Sequence, residues 1–224
     1  MIVVTSLSPS HKNAENQQRA IDSWQQYGKC YSLNCEEEVK RLEGNYTGIE
    51  FIETHRTSNY YVGKNMVTVN AIFDFAKEMK EDLLLINSDI VLRDLPKLKD
   101  DGMTIFSRYD YTEDMDENTM FVHGFDVFFI PYKFLHIFPP SIYGLGIAWH
   151  DFYSPFHCIL NNIPVYYPKG IYAFHKLHPT QYPVDEWYYI GEHFRLDFRL
   201  DKSLTIPQIA TQSMERIKQN LKHE

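Results

Sequence analysis

Apolar and polar runs alternate along the first half of the chain in a way that predicts strands and helices in turn. Strand-like apolar runs occupy residues 2–7, 30–35 and 49–55, and helical periodicity fills the intervals at 14–24 and 36–44. Strand, helix and strand in succession is the pattern of a parallel sheet with right-handed crossovers. We therefore predict an α/β protein whose central sheet is mainly parallel and flanked by helices.

Residues 83–92 read LLLINSDIVL and follow a helical pattern that runs from Met66 to about Lys80. An apolar run of this length is typical of a central strand that is buried on both faces. The polar triplet within the run ends in Asp89, whose ionised carboxylate would lose several kcal/mol on leaving water without a partner. A divalent cation would provide that partner. A turn cap or a salt bridge is the alternative explanation.

Polar residues follow the predicted strands at the edge of the sheet where their carboxyl ends meet. They are Thr5, Ser6, Asn34, Thr54, His55, Asn87, Ser88 and Asp89. Open α/β sheets bind ligands at this edge, although each residue taken singly is also explained as the start of a loop. No P-loop or G-x-G-x-x-G motif follows the first strand. A bound phosphate would then need a metal at Asp89 and cations such as Arg56 or Lys64, which otherwise are solvated loop charges.

Composition and charge narrow the classes of function. The 224 residues carry a net charge of −8, which argues against a broad basic surface for non-specific nucleic-acid binding. No apolar segment approaches the roughly 20 residues needed to cross a bilayer, and a strand-like run begins at Ile2 without an apolar leader. We expect a cytoplasmic protein. Cys30, Cys35 and Cys158 are odd in number and lack metal-site spacing, which favours reduced thiols.

The second half of the chain is rich in aromatic residues and alternates less regularly. Strand-like runs occupy residues 103–111, 120–132 and 163–168, and a helix is predicted from Trp149 to about Asn161. Residues 186–202 have no clear periodicity. An amphipathic helix is predicted from Pro207 onwards, with its apolar stripe packed on the domain or against a partner.

Several polar residues of this half lie in apolar surroundings. His123 and Asp126 interrupt the run 120–132, and a buried Asp126 beside Gly124 needs hydrogen-bond donors, either sugar hydroxyls or backbone amides. Gly144 and Gly146 form a loop that a substrate can approach closely. Asp151 falls in the first turn of the predicted helix, where the helix dipole favours a carboxylate whatever its function.

Residues 2–92 resemble the nucleotide-binding half of GT-A fold glycosyltransferases, and are similar to the large family 2. The resemblance rests on the opening strand, on the spacing of Asn70 and Ala76, and on an acidic motif after the next strand. In that family the motif is Asp-x-Asp, whereas this chain has Asn87-Ser88-Asp89 and lacks the first carboxylate. The resemblance implies a single-domain, Rossmann-like α/β fold of GT-A type with a mixed, mainly parallel central sheet.

The resemblance also implies a function, a metal-dependent glycosyltransferase with inversion at the anomeric carbon. Asp89 and a downstream histidine, His175, would hold Mn²⁺ or Mg²⁺, with His178 as the alternative ligand. Asp151, after the glycine-containing loop, would be the catalytic base. Donor binding is expected of Thr5, Ser6, Asn34, Lys64, Asn70, Asn87 and Ser88, and acceptor or sugar binding of His123, Asp126, Trp149 and His150.

We expect residues 1–95 to form the donor-binding half, residues 96–205 the acceptor-binding and catalytic half, and residues 206–224 a C-terminal amphipathic helix. The expected partners are a nucleotide-sugar donor, a UDP-sugar first among them, and an acceptor glycan or other hydroxyl-bearing molecule. A modified nucleic-acid base stays open as an acceptor, and no membrane span is expected.

Two other functions stay open at this point. A non-catalytic nucleotide-sugar-binding protein of the same fold would explain the missing carboxylate of the motif. A nucleotidyltransferase shares the sheet and the metal, but normally has a Gly- and Arg-rich loop after the first strand, and residues 6–13 (SLSPSHKN) do not fit that description.

Overall fold

The structure is a computed structural model that describes residues 1–10, 14–178 and 183–223. In chain order its strands are β1 (Ile2–Thr5), β2 (Lys29–Asn34), β3 (Glu50–Glu53), β4 (Leu83–Ile86), β5 (Ile90–Leu92), β6 (Met103–Phe106), β7 (Tyr109–Tyr111), β8 (Asn118–Met120), β9 (Val127–Ile130), β10 (Val165–Tyr167), β11 (Ala173–Lys176) and β12 (Leu221–His223). Its α-helices are α1 (Ala14–Trp24), α2 (Glu36–Leu42), α3 (Asn59–Val62), α4 (Val69–Met79), α5 (His150–Leu160), α6 (Val184–Asp197) and α7 (Ile206–Asn220). A 3₁₀ helix spans Tyr132–Ile137.

The larger sheet has eight strands in the order β12-β10-β6-β9-β4-β1-β2-β3. The strand β9 is antiparallel to both of its neighbours, and the other pairings are parallel. The predicted α/β fold, a mainly parallel central sheet flanked by helices in a single domain, is therefore confirmed.

Helices cover both faces of the larger sheet, which explains the unbroken apolar runs of its central strands. On β4, Leu84 and Ile86 face a core that includes Ile21 and Trp24 of α1. The alternate residues of β4 face a second core, to which α4 contributes Phe73. Successive side chains of a strand point to opposite faces, so all four residues of β4 are apolar and buried.

The smaller sheet has four strands in the order β5-β11-β7-β8. It corrects three of the predicted strands, because each long apolar run is two short strands in two different sheets. Residues 83–92 form β4 and β5, residues 103–111 form β6 and β7, and residues 118–130 form β8 and β9. Periodicity does not reveal the change of sheet, since one of the two strands at each crossing is only three residues long. The polar interruptions in the runs mark the crossings.

The C-terminal part departs from the prediction in one element and follows it in another. Residues 184–197 are the helix α6, which has buried contacts at Ile190 and Phe194 but exposed tyrosines at 188 and 189, so its apolar stripe is too narrow to show as periodicity. The predicted amphipathic helix is α7. It begins with a capping box between Thr205 and Gln208.

The three cysteines are free thiols, as expected. In residues 1–10, 14–178 and 183–223, no helix has both the length and the apolar character needed to cross a membrane.

Candidate functional site

The polar segments in which the chain passes from one sheet to the other line one cleft of about 1060 Å³. The loop 145–149, the first turn of α5 and one face of α7 complete its walls. The cleft is lined by eleven of the residues that sequence analysis assigned to a site: Ser6, Lys64, Asn87, Ser88, Asp89, His123, Asp126, Trp149, His150, Asp151 and His175.

Asp89, His175 and His178 form a cluster that could hold a metal ion. Their potential ligand atoms all lie within 4.8 Å of one another. Oδ2 of Asp89 is 2.9 Å from Nε2 of His178 and 3.3 Å from Nε2 of His175. The turn after β4 supplies the carboxylate, and β11 with the residues that follow it supplies both imidazoles. The antiparallel pairing of β11 with β5 brings these two parts of the chain together.

The other ring nitrogen of His175 is held by a carboxylate. Nδ1 of His175 lies 2.7 Å from Oδ1 of Asp110, and the imidazole is only 4% exposed. A proton on Nδ1 makes this a hydrogen bond and leaves the lone pair of Nε2 facing Asp89. Histidine ligands of metals usually have such a partner, which fixes the ring and its tautomer. A carboxylate and two imidazoles, one of them held in this way, are a donor set that fits a divalent transition metal.

Arg108 connects this cluster to the opposite wall of the cleft. Its guanidinium donates to Asp110 through Nε (2.8 Å) and to Asp126 through Nη1 (3.0 Å), and it lies 4.0 Å from the ring centroid of Phe121. It thereby positions both carboxylates. The sequence does not single out Arg108, which lies at the polar interruption of the strand-like run 103–111.

Asp126 is 3% exposed and has one engaged and one free carboxylate oxygen. Oδ1 accepts hydrogen bonds from Arg108 and from Nδ2 of Asn87, the latter at 2.6 Å. Oδ2 is buried without a hydrogen-bond partner among the described residues. Side-chain donors, and not the backbone amides that the sequence suggested as one alternative, occupy Oδ1. Oδ2 is left for a ligand, so sugar hydroxyls, the other alternative, stay a prediction.

Asp151 lies in the first turn of α5, as predicted, and faces the cleft. Burial raises the pKa of its carboxyl group to about 6, and the nearby charge of Asp126 acts in the same direction. A charge on His150 and hydrogen bonds from backbone amides, including that of Phe125, oppose the increase. A carboxylate with a pKa near neutrality is suited to accept a proton from a substrate.

Gly124 allows Asp151 its position. A β-carbon at residue 124 would overlap Oδ2 of Asp151. The glycine of the His123-Gly124 pair is therefore required by the close approach of a carboxylate from another part of the chain, which no local pattern predicts.

Trp149 lines the cleft but does not present an open aromatic face. It is 2% exposed, its ring packs against Trp187 and Phe194, and Nε1 donates to the carbonyl of Trp187 at 2.9 Å. Its φ of 74° lies in the left-handed region, where a non-glycine residue is uncommon and signals strain at a functional site. The expected acceptor platform is thus corrected: Trp149 is a core residue that sets the start of α5, two positions before Asp151.

Three residues predicted to bind the donor lie outside the cleft, and this corrects their assignment. Thr5 is fully buried, and its hydroxyl has no partner among the described residues. Asn34 donates to the carbonyl of Leu7 at 2.8 Å and so ties the segment after β1 to β2. Asn70 donates to the carbonyl of Pro139 at 2.6 Å and anchors the loop that precedes α5.

Lys64 lines the cleft with its charge already paired. Its Nζ lies 2.5 Å from Oε2 of Glu186, a buried residue of α6. A phosphate would have to compete with this ion pair, so the expected role of Lys64 in phosphate neutralisation loses its basis. The other cation considered for that role, Arg56, pairs with Asp74 on α4.

No protein-family model matches the chain, and no curated protein matches it either. Among solved structures, CTP:phosphocholine cytidylyltransferase from Streptococcus pneumoniae is similar at 12% identity, with 86% of this chain and 98% of that chain covered and a TM-score of 0.36. A glycosyltransferase involved in the glycosylation of the major capsid of PBCV-1 is similar at 11% identity, with 97% and 98% covered and a TM-score of 0.34. Both scores lie below 0.5, so the fold assignment rests on the strand order and directions of this chain.

Proposed function

We propose that this protein is a metal-dependent glycosyltransferase that moves a sugar from a nucleotide-sugar donor to an acceptor hydroxyl with inversion. One observation carries the proposal: a single cleft contains three potential metal ligands and a carboxyl group whose pKa is raised to about 6. A metal held by the three ligands would bind the diphosphate of a donor. The carboxyl group, that of Asp151, would deprotonate an acceptor.

The metal site would consist of Asp89, His175 and His178. Two imidazoles favour a transition metal such as Mn²⁺ over Mg²⁺, which prefers an all-oxygen set. A divalent cation held there would neutralise the diphosphate and the charge that develops on the leaving nucleoside diphosphate. Asp110 orients His175, and Arg108 orients Asp110. Asn87-Ser88, which precede Asp89, and Ser6 line the same cleft and would contact the donor.

Asp151 would act as the general base. It takes the proton of the acceptor hydroxyl while that oxygen forms a bond to the anomeric carbon. The bond from this carbon to the diphosphate oxygen breaks, and its electron pair leaves with the nucleoside diphosphate. Attack on the face opposite the leaving group inverts the anomeric centre. The raised pKa of Asp151 supports turnover over a binding-only function, because catalytic bases commonly have pKa values near the pH at which they work.

The proposal is tested by thermal shift with UDP, GDP, CMP and dTDP, each with and without Mn²⁺, followed by chromatography of the matching nucleotide-sugars after incubation. A nucleotide at 100 times its dissociation constant should raise the free energy of unfolding by about 2.7 kcal/mol, and only in the presence of the metal. Release of the nucleoside diphosphate from the sugar adduct then shows turnover. Stabilisation by none of the four nucleotides would overturn the proposal, and preferential binding of UTP or CTP with release of pyrophosphate would point to nucleotidyl transfer.

A further inference from the structure

Three atoms in the cleft wall are buried and have no hydrogen-bond partner among residues 1–10, 14–178 and 183–223. They are Oδ1 of Asn87, Oδ2 of Asp126 and Nε2 of His150. All three residues line the cleft, and Asp126 and His150 are 3% and 7% exposed. A buried polar atom without a partner costs free energy, so the wall is incomplete until a ligand supplies what these atoms need.

Hydrogen bonds on the other side of each group fix what these atoms can do. Nδ2 of Asn87 donates to Asp126, so the amide oxygen of Asn87 is the free acceptor. Nδ1 of His150 lies 2.6 Å from the carbonyl oxygen of Ile147. A carbonyl only accepts, so Nδ1 carries a proton, and Nε2 is the ring atom of His150 that is left for a ligand. Oδ2 of Asp126 is the second free acceptor.

The two free acceptors, on Asn87 and Asp126, are adjacent. Asn87 and Asp126 are joined by a hydrogen bond of 2.6 Å. Asp151 lies near enough to Asp126 for the charge of Asp126 to raise the pKa of the Asp151 carboxyl group. Arg108, a cation in the same wall, is already engaged by Asp110 and Asp126. The wall therefore offers hydrogen-bond acceptors and carboxylates to a ligand.

We infer that this wall is a subsite for a neutral, polyhydroxylated sugar ring, and that it excludes sugars that carry a carboxylate. Hydroxyl groups donate, and several on adjacent carbons of one ring match several acceptors on one surface. A uronic acid would place its negative charge against the carboxylates of Asp126 and Asp151, which line the same cleft. Whether the bound sugar is the one transferred or the one that accepts it depends on the proposed function. The need for hydrogen-bond donors on the ligand depends only on the unpaired atoms.

The experiment measures binding of free sugars to the full chain by saturation-transfer NMR, and so does not depend on turnover. The probes are glucose and galactose and their uronic acids, glucuronate and galacturonate, each titrated with and without Mn²⁺. The pair UDP-glucose and UDP-glucuronate is titrated in the same way, beside UDP itself. We expect each neutral sugar to bind at least about tenfold more tightly than its uronic acid. A hydrogen bond to a charged group, which the uronic acid loses, contributes at least that factor to affinity.

Two variants locate the effect. Asp126→Asn replaces the free acceptor by an amide and should weaken binding of glucose about tenfold and reduce the selectivity against glucuronate. Asp74→Asn is the matched control, because Asp74 is also a carboxylate paired with an arginine, Arg56, but lies on α4 outside the cleft. A melting curve accompanies each variant. The comparison of neutral and acidic sugars on the parent protein tests the inference even if Asp126→Asn fails to fold.

The outcomes separate this inference from the proposed function. Equal affinity for neutral and acidic sugars, or no binding of any sugar, would overturn the inference. If the sugar results overturn the inference but UDP stabilises the protein in the presence of Mn²⁺, the proposed function stands without the sugar subsite. Selective binding of neutral sugars by a chain that binds no nucleotide would support the inference and overturn the proposed function.

Discussion

Nδ1 of His175 lies 2.7 Å from Oδ1 of Asp110, on the neighbouring parallel strand of the small sheet. The two residues are paired in the register of β11 with β7. The same oxygen of Asp110 accepts from Nε of Arg108, so the carboxylate is held from two sides. The small sheet therefore sets the direction in which Nε2 of His175 points. The position of His175 relative to Asp89 is set by the pairing of β11 with β5 and β7.

We expect Asp110→Asn to lower the affinity for Mn²⁺ by about 10- to 100-fold, the usual effect of removing the carboxylate partner of a histidine ligand. The amide of Asn presents its own hydrogens or a neutral oxygen to Nδ1, so the tautomer of His175 is no longer fixed. Electron paramagnetic resonance of free Mn²⁺ measures the affinity directly. Asp116→Asn, at an exposed carboxylate that pairs with Arg93, is the control. An unchanged affinity in Asp110→Asn would remove the positioning role.

Removal of either histidine of the cluster should weaken metal-dependent nucleotide binding, and His175→Ala should weaken it more than His178→Ala. The structure brings both imidazoles to Asp89, so each is a potential ligand. His175 is 4% exposed and anchored by Asp110, whereas the side chain of His178 is 30% exposed. Isothermal titration with UDP at saturating Mn²⁺ ranks the two variants. A larger loss in His178→Ala would show that the buried imidazole is structural.

His157 should make the protein less stable in mild acid. Its ring is enclosed by Tyr153, Phe138 and Phe198, and burial lowers its pKa to about 4. Between pH 6.5 and 4 the unfolded chain binds a proton there that the folded chain does not. The free energy of unfolding therefore falls as the pH falls, by at most about 1.4 kcal/mol per pH unit from this residue.

Urea unfolding of His157→Gln at several pH values tests this coupling. The variant should show a shallower dependence between pH 4 and 6.5 than the parent, whatever its absolute stability. His136→Gln, at an exposed position, is the comparison. Parallel curves for His157→Gln and the parent would contradict the burial of an uncharged ring.

The sequence predicts the larger sheet well because its strands are separated by helices with clear periodicity. Val3 and Leu84 lie in continuous apolar runs, and such runs are typical of strands covered on both faces. The smaller sheet is not predicted, because β5, β7 and β8 are three residues long and continue runs that belong to other strands. A strand of that length has too few residues for an alternation to be recognised.

The sequence predicts only part of the site. Polar residues inside apolar runs, such as Asp89 and Asp126, stand out in the sequence, and they line the cleft. Arg108 and Asp110 are not identified from the sequence, because their role depends on the pairing of β7 with β11 in the small sheet. Asn34 illustrates the opposite error, since a polar residue at a strand end also serves to tie loops together.

Asp151 should reduce the stability of the folded protein at neutral pH. A pKa raised to about 6 means that the folded chain keeps a proton that the unfolded chain loses from about pH 4 upwards. The free energy of unfolding therefore falls as the pH rises through this window, and the loss is complete above about pH 6. Asp151→Asn removes the buried charge and should be more stable than the parent at pH 7.5, on the order of 2 kcal/mol, with no gain near pH 4. Melting curves at both pH values measure the difference.

Asp151→Asn should also keep nucleotide binding and lose transfer. The amide is nearly isosteric and fits beside Gly124, but it cannot accept the proton of an acceptor hydroxyl. A positioned general base typically contributes 10²–10⁴-fold to the rate. For the parent, kcat/KM should rise with pH through about 6, because Asp151 has a pKa of about 6 and must be ionised to accept a proton. The measurement is sugar transfer, or donor hydrolysis, over pH 5 to 8. A variant of normal affinity and undiminished turnover would exclude Asp151 as the base and leave Asp126, with its free Oδ2, as the residue to replace next.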